Sequence, residues 1–132
     1  MKVQAVTDVG RERSVNQDYV YYSLTETGSL PNLFLVADGM GGHKAGDMAS
    51  RYTVATFVSL VQDSTLKDPV SIINNAVTQV NRRLLQKAAE SENYEGMGTT
   101  LVAATVYDNI LRVANVGDSR LYILGNEITQ IT

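Results

Sequence analysis

The sequence contains no cysteine, which excludes disulfides and thiolate metal ligands. A cysteine-free chain suits a reducing compartment, and a cytoplasmic location is the default expectation. There is one histidine, His43, so no metal site can rest on a histidine pair. His43 is expected near the start of the first helix, in a structural or surface role rather than in acid–base chemistry. No dense run of lysine and arginine marks a nucleic-acid face. The nearest candidate, Arg82-Arg83, falls in a helix-like segment and reads as a solvated face. No apolar run approaches the roughly 18 residues of a membrane span. The opening MKVQAVTD is too short and too alternating for a signal peptide. Internal repeats and low-complexity segments are also absent.

What remains is ordinary globular material. The chain has 132 residues, 44% hydrophobic and 19% charged, with a formal charge of −3. That is enough for one domain with its own core, and the charge is too mild to dictate a partner.

Alternation predicts a strand over 2–8, and an aromatic, β-branched run predicts another over 19–24. Between them lies a polar, glycine-led loop, and ETGSLP after the second is a turn. The continuous apolar run NLFLVA, 32–37, reads as a central strand buried on both faces. A helix is expected over about 45–61, with Met48, Tyr52, Ala55 and Val58 or Ser59 at helical spacing. A second begins at Asp68, a good N-cap, with Pro69 at the first helical position. Val70, Ile73, Val77, Val80 and Leu84 give it an apolar stripe, and it should run to about Glu90. A polar loop over 91–98 precedes a hairpin, 99–107 and 110–115, turning at Asp108-Asn109. A second hairpin, 120–124 and 127–131, turns at Gly125-Asn126. Strands, two consecutive helices, then strands make an α+β pattern with helices packed on sheets.

Four clusters can carry chemistry. Asp38-Gly39 ends the buried strand in a glycine-rich turn. A carboxylate there suits a hard cation such as Mg²⁺ or Mn²⁺, and Gly39 lets its own carbonyl approach. The bland alternative is a turn in which Asp38 caps backbone amides. In the loop RSVNQD, Asp18 can face the same cation directly or through water, and Arg13 can grip phosphoryl oxygens with its planar fork. Alternatively the loop is merely solvated. Gly117-Asp118-Ser119-Arg120 is common turn chemistry. Gly96-Met97-Gly98-Thr99-Thr100 is equally well a loop opening a strand.

Their joint order is more specific than any one of them. TDVGRERSVNQD (7–18), VADGMGGH (36–43), GMGTT (96–100) and VGDSR (116–120) together resemble the bacterial branch of the metal-dependent PPM-type (type 2C) Ser/Thr protein phosphatases. The resemblance covers essentially the whole chain. It implies an α-β-β-α sandwich, two antiparallel sheets flanked by helix pairs, with two Mn²⁺ or Mg²⁺ ions at one end. By the match, Asp38 bridges both metals and Gly39 offers its carbonyl. Asp18 sits in the surrounding shell, Arg13 grips the substrate phosphate, and Asp118 helps hold a third, weaker metal. Thr99, Thr100, Ser119 and Arg120 are structural. The implied reaction is hydrolysis of phosphoserine and phosphothreonine on proteins by a metal-activated water, with no phosphoenzyme. The implied partners are phosphorylated proteins and a cognate Ser/Thr kinase.

Two residues depart from the pattern. Met40 stands where some relatives carry a histidine proposed as general acid, and Gln17 stands where others have glutamate. The family's later D-G-L motif and late D-N pair have no counterpart before Thr132. The expectation is therefore that residues 1–132 form the N-terminal part of a single phosphatase domain. It would be incomplete in its metal site and inactive or weakly active alone. A non-catalytic binding or scaffold module of the same fold is the alternative. Self-association through exposed strand edges is a further expectation.

Overall fold

The computed structural model describes residues 1–42 and 44–132. The expectation for His43 lies outside them. The order is β1 (Asp18–Ser23), β2 (Leu33–Met40), α1 (Ala45–Asp63), α2 (Pro69–Ala88), a 3-10 turn (Glu92–Tyr94), β3 (Gly98–Thr99), β4 (Leu101–Tyr107), β5 (Ile110–Val116), β6 (Tyr122–Leu124) and β7 (Ile128–Gln130). β1, β2, β4 and β5 form one antiparallel sheet in that order, with the short β3 also paired to β2. β6 and β7 pair as a separate hairpin.

The sheet is central, and the helices pack on one side of it. In β2 every second residue (Leu33, Leu35, Ala37, Gly39) is buried, while Val36 is 45% exposed. The expectation that 32–37 is buried on both faces is therefore wrong. Leu33, Leu35, Leu101 and Ala103 meet Val54, Phe57 and Val61 of α1 and Ile72, Ile73, Ala76 and Val80 of α2 in one apolar cluster. The opposite face repeats the apolar alternation without receiving a helix.

The helices form as expected, and Ile73, Val80 and Leu84 of the α2 stripe are buried, whereas the core face of α1 is rotated from its predicted stripe. In α1 the sheet side is made by Ala49, Ser50, Thr53, Val54, Phe57 and Val61, with Ala55 exposed. Small residues let the helix lie close to the strands, and a stripe chosen by side-chain size misses them. In α2 the Asp68 carboxylate accepts from the Ser71 amide at 2.8 Å, capping the helix as expected. Ile72 rather than Val70 is buried.

Residues 2–8 do not form a strand. Alternation supplies strand propensity, but no neighbouring strand in the described residues offers its backbone, and isolated strands are not stable in water. The β4–β5 hairpin turns at Asp108 and Asn109, both with positive φ (51° and 58°), as a two-residue turn requires. Asn32 fastens the far end of the sheet. It is buried, donates to the Val106 carbonyl at 2.8 Å and accepts from the Val106 amide at 2.8 Å.

Candidate metal centre

Asp18 opens β1 and Asp38 lies near the end of β2, directly opposite one another in the antiparallel register. The Gly39 amide donates to the Gln17 carbonyl at 2.9 Å. Residues 17 and 39 are thus a hydrogen-bonded pair, and 18 and 38 are the adjoining non-hydrogen-bonded pair. Such pairs approach more closely, about 4.5 Å between Cα atoms, with side chains on one face. Two carboxylates held this way repel. Partial burial, then the charge of Asp18, a hydrogen bond with Asp18, and the charge of Asp118 all raise the Asp38 pKa. Arg13 acts in the opposite direction.

The Asp38 backbone is fixed by Thr100. The Thr100 amide donates to the Asp38 carbonyl at 2.9 Å, and the Asp38 amide donates to Thr100 Oγ1 at 3.0 Å. Thr100 Oγ1 also lies 2.6 Å from Ser119 Oγ. Asp118 is thereby carried toward Asp38 by its neighbour, on a turn whose Gly117 has φ 97° and lies against Thr100. These bonds give Thr100 and Ser119 the structural role expected of them.

Glycine at 39 is required for a reason the motif does not reveal. A Cβ there would lie 1.9 Å from the Gly46 carbonyl oxygen and 2.8 Å from the Gln17 carbonyl oxygen. A Cβ at Gly46 would in turn lie 2.6 Å from the Gln17 side chain. The first turn of α1 is seated on the Asp38-Gly39 strand end through this contact. Gln17 completes it by donating to the Gly41 carbonyl at 3.3 Å.

Arg13 comes from a loop ordered by short polar contacts. The Gly10 amide donates to Asp8 Oδ1 at 2.7 Å, Asn16 Nδ2 to Thr7 Oγ1 at 2.8 Å, and the Asp18 amide to Asn16 Oδ1 at 3.0 Å. Arg13 Nη1 reaches Gln17 Oε1 at 3.5 Å. Its side chain borders three adjoining cavities. One of ≈ 230 Å³ is lined also by Asp8, Asp18 and Asp38, and one of ≈ 430 Å³ by Asp38, Gly39, Thr100 and Asp118. The third, of ≈ 490 Å³, opens toward Gly41 and Lys44. Arg13, Asp18, Asp38, Gly39 and Asp118 are therefore brought to one end of the sheet. Asp8 joins them, and sequence reasoning missed it, although it stands in the first motif one residue after Thr7.

The donor set is oxygen-only and acidic, which suits a hard divalent cation. A cation would also relieve the Asp18–Asp38 repulsion, so the residues fit such an ion. Among the described residues, however, no three acidic or histidine side chains converge closely enough to hold one by themselves. Asp18 and Asp38 face one another across the strand pair, and Asp118 acts on Asp38 through its charge.

The sequence profile of protein phosphatase 2C matches residues 9–131. The chain belongs to the protein phosphatase 2C family. Protein phosphatase PhpP of Streptococcus pneumoniae is 35% identical over 136 residues, covering 100% of this chain and 54% of PhpP. PstP of Mycobacterium tuberculosis is 36% identical over 133 residues, 24% of its own length. The chain thus spans about half the length of PhpP and a quarter of PstP. In three dimensions it matches Stp1 of Staphylococcus aureus with a TM-score of 0.81 at 37% identity, covering 96% of this chain and 51% of Stp1. The PstP catalytic domain solved with two manganese ions matches at 0.80 and 36% identity, covering 95% of this chain and 52% of that domain. Membership explains why the four motifs occur together and in this order. It also accounts for the fold, in which helices pack on antiparallel sheets.

Proposed function

We propose that this chain is the N-terminal part of a phosphatase domain that hydrolyses phosphoserine and phosphothreonine on proteins with two divalent cations, Mn²⁺ or Mg²⁺. The observation that carries the reading is the facing Asp18–Asp38 pair with Arg13 beside it. The chemistry the cations supply when bound is an acidified water and neutralisation of charge at the phosphoryl group. The rest belongs to this chain. Asp38 and Asp18 hold the cations, with the Gly39 carbonyl and, for a weaker third ion, Asp118. Arg13 binds two phosphoryl oxygens through its guanidinium fork and orients phosphorus. Thr100 keeps Asp38 in place while charge builds up. No side chain serves as a covalent nucleophile.

The substrates are phosphoproteins made by a Ser/Thr kinase of the same pathway. No helix among the described residues is long and apolar enough to cross a membrane, and we place the reaction in the cytoplasm. Copies of the chain associate through their open strand edges. Two six-coordinate cations need more oxygen ligands than a carboxylate pair and one further aspartate provide, so hydrolysis by residues 1–132 alone is weak or absent.

Calorimetric titration with Mn²⁺, beside a phosphothreonine-peptide assay, tests this. The wild-type chain should bind Mn²⁺ weakly, Asp38→Asn should lose that binding by tenfold or more, and turnover should be marginal. Binding unaltered in Asp38→Asn would move the metal elsewhere. No Mn²⁺ binding at all would favour the scaffold reading. Brisk turnover lost in Asp38→Asn would show that 132 residues suffice.

A further inference from the structure

A groove of ≈ 780 Å³ runs beside the candidate centre, between the start of α1 and the 3-10 turn. Gly42, Lys44, Met48, Tyr94, Glu92 and Glu95 line it. Its walls are fixed. Met48 and Tyr94 pack into one apolar cluster with Ala45, Ala49, Leu84 and Met97. The Lys87 amine lies 5.9 Å from the Tyr94 ring and 6.0 Å from the Tyr52 ring, tying the 3-10 turn to both helices.

Two features point to an occupant. The first is continuity. Lys44 lines both this groove and the cavity bordered by Arg13 and Gln17. The groove therefore opens from the place where a phosphoryl group would be gripped. Gly42 is four residues beyond Asp38, so its end of the groove lies within roughly 14 Å of Asp38, the reach of about four extended residues. The second is charge. Asp47 is satisfied by Arg51 at 2.7 Å. Glu92 and Glu95, both exposed, have no ion-pair partner among the described residues.

We propose that this groove receives the substrate polypeptide on one side of the phosphoresidue and that Glu92 and Glu95 select a basic side chain there. The inference rests on the phosphatase reading and adds to it a specificity determinant outside the metal centre. Met48 and Tyr94 offer apolar surface to the stem of an arginine or lysine, whose head reaches the two carboxylates. An acidic residue at the same place is repelled.

The test is fluorescence anisotropy with labelled phosphothreonine peptides in Mn²⁺, carrying either arginine or glutamate at each position in turn on both sides of the phosphothreonine. Unphosphorylated versions serve as controls. The arginine peptide should bind roughly three- to tenfold more tightly, the range expected for one or two exposed charge pairs. The preference should shrink in high salt. It should vanish in the doubly substituted Glu92→Gln, Glu95→Gln chain, which keeps its phosphate dependence and its melting curve. Phosphate-dependent binding without an arginine preference, or with one that survives the double substitution, overturns the groove and leaves the phosphatase reading standing. Binding that ignores the phosphate in every peptide overturns both.

Discussion

Asp38 shows what a single residue does before any ion arrives. Its pKa is raised, so the folded chain holds that proton more tightly than the unfolded chain does. The stabilising contribution of the protonated form is complete below the unfolded value near 3.8 and is lost as pH rises through the raised folded value. At neutral pH the metal-free chain therefore carries the repulsion as a cost. Asp38→Asn removes the charge and keeps the backbone bonds to Thr100. In chelator at pH 7 the variant should melt higher than wild type by up to a few degrees, since a solvent-screened pair is worth at most about 1 kcal/mol. The gap should close toward pH 3. With saturating Mn²⁺ the order should reverse, because only the wild type gains from the ion. Scanning calorimetry across pH, with and without metal, reads all three. The types of Arg13, Asp18, Asp38 and Asp118 were legible in the motifs. The reason for Gly39 was not, because it lies in Gly46 and Gln17, which come from other parts of the chain.

At the scale of elements, local signals were the readable ones. Asp68 and Pro69 specify the start of α2, and the structure keeps that start. Signals that depend on a partner failed. Residues 2–8 alternate, yet nothing among the described strands pairs with them. β2 is apolar at successive positions, yet helices cover one side of it. α1 meets the sheet through Gly46, Ala49, Ser50 and Thr53, whose smallness reads as weak hydrophobicity in sequence and as close approach in space. The seat of α1 on β2 makes the point testable. Gly39→Ala sets a methyl against two backbone carbonyls, and neither can yield without moving α1 or the 17–18 segment. The expected loss is about 2–4 kcal/mol in a urea melt, with Mn²⁺ binding weakened as well. A change under about 0.5 kcal/mol would mean that α1 is not held there.

For the whole molecule, the decisive fact is that one sheet carries one helix pair and leaves its outer strands, β1 and β5, without neighbours among the described strands. Open edges are templates for pairing with another chain. The register shows which groups are on offer. Residues 17 and 39 form a hydrogen-bonded pair, so by alternation the amides of Asp18, Val20 and Tyr22 point away from β2. The Asp18 amide does so visibly, donating to Asn16 Oδ1 rather than to β2. Val20 and Tyr22 are left to solvent or to a second copy. Tyr22, 48% exposed, can become proline without removing a bond from the β1–β2 ladder, since proline is tolerated where the missing N–H faces outward. Light scattering behind size exclusion should show concentration-dependent dimers of the wild-type chain. Tyr22→Pro should shift them to monomer by at least several-fold in dissociation constant while circular dichroism stays the same. A wild-type chain that remains monomeric at high concentration would show that the edges are protected in solution. Dimers unaffected by Tyr22→Pro would place the contact on β5, where the hairpin's outer strand offers the same kind of edge.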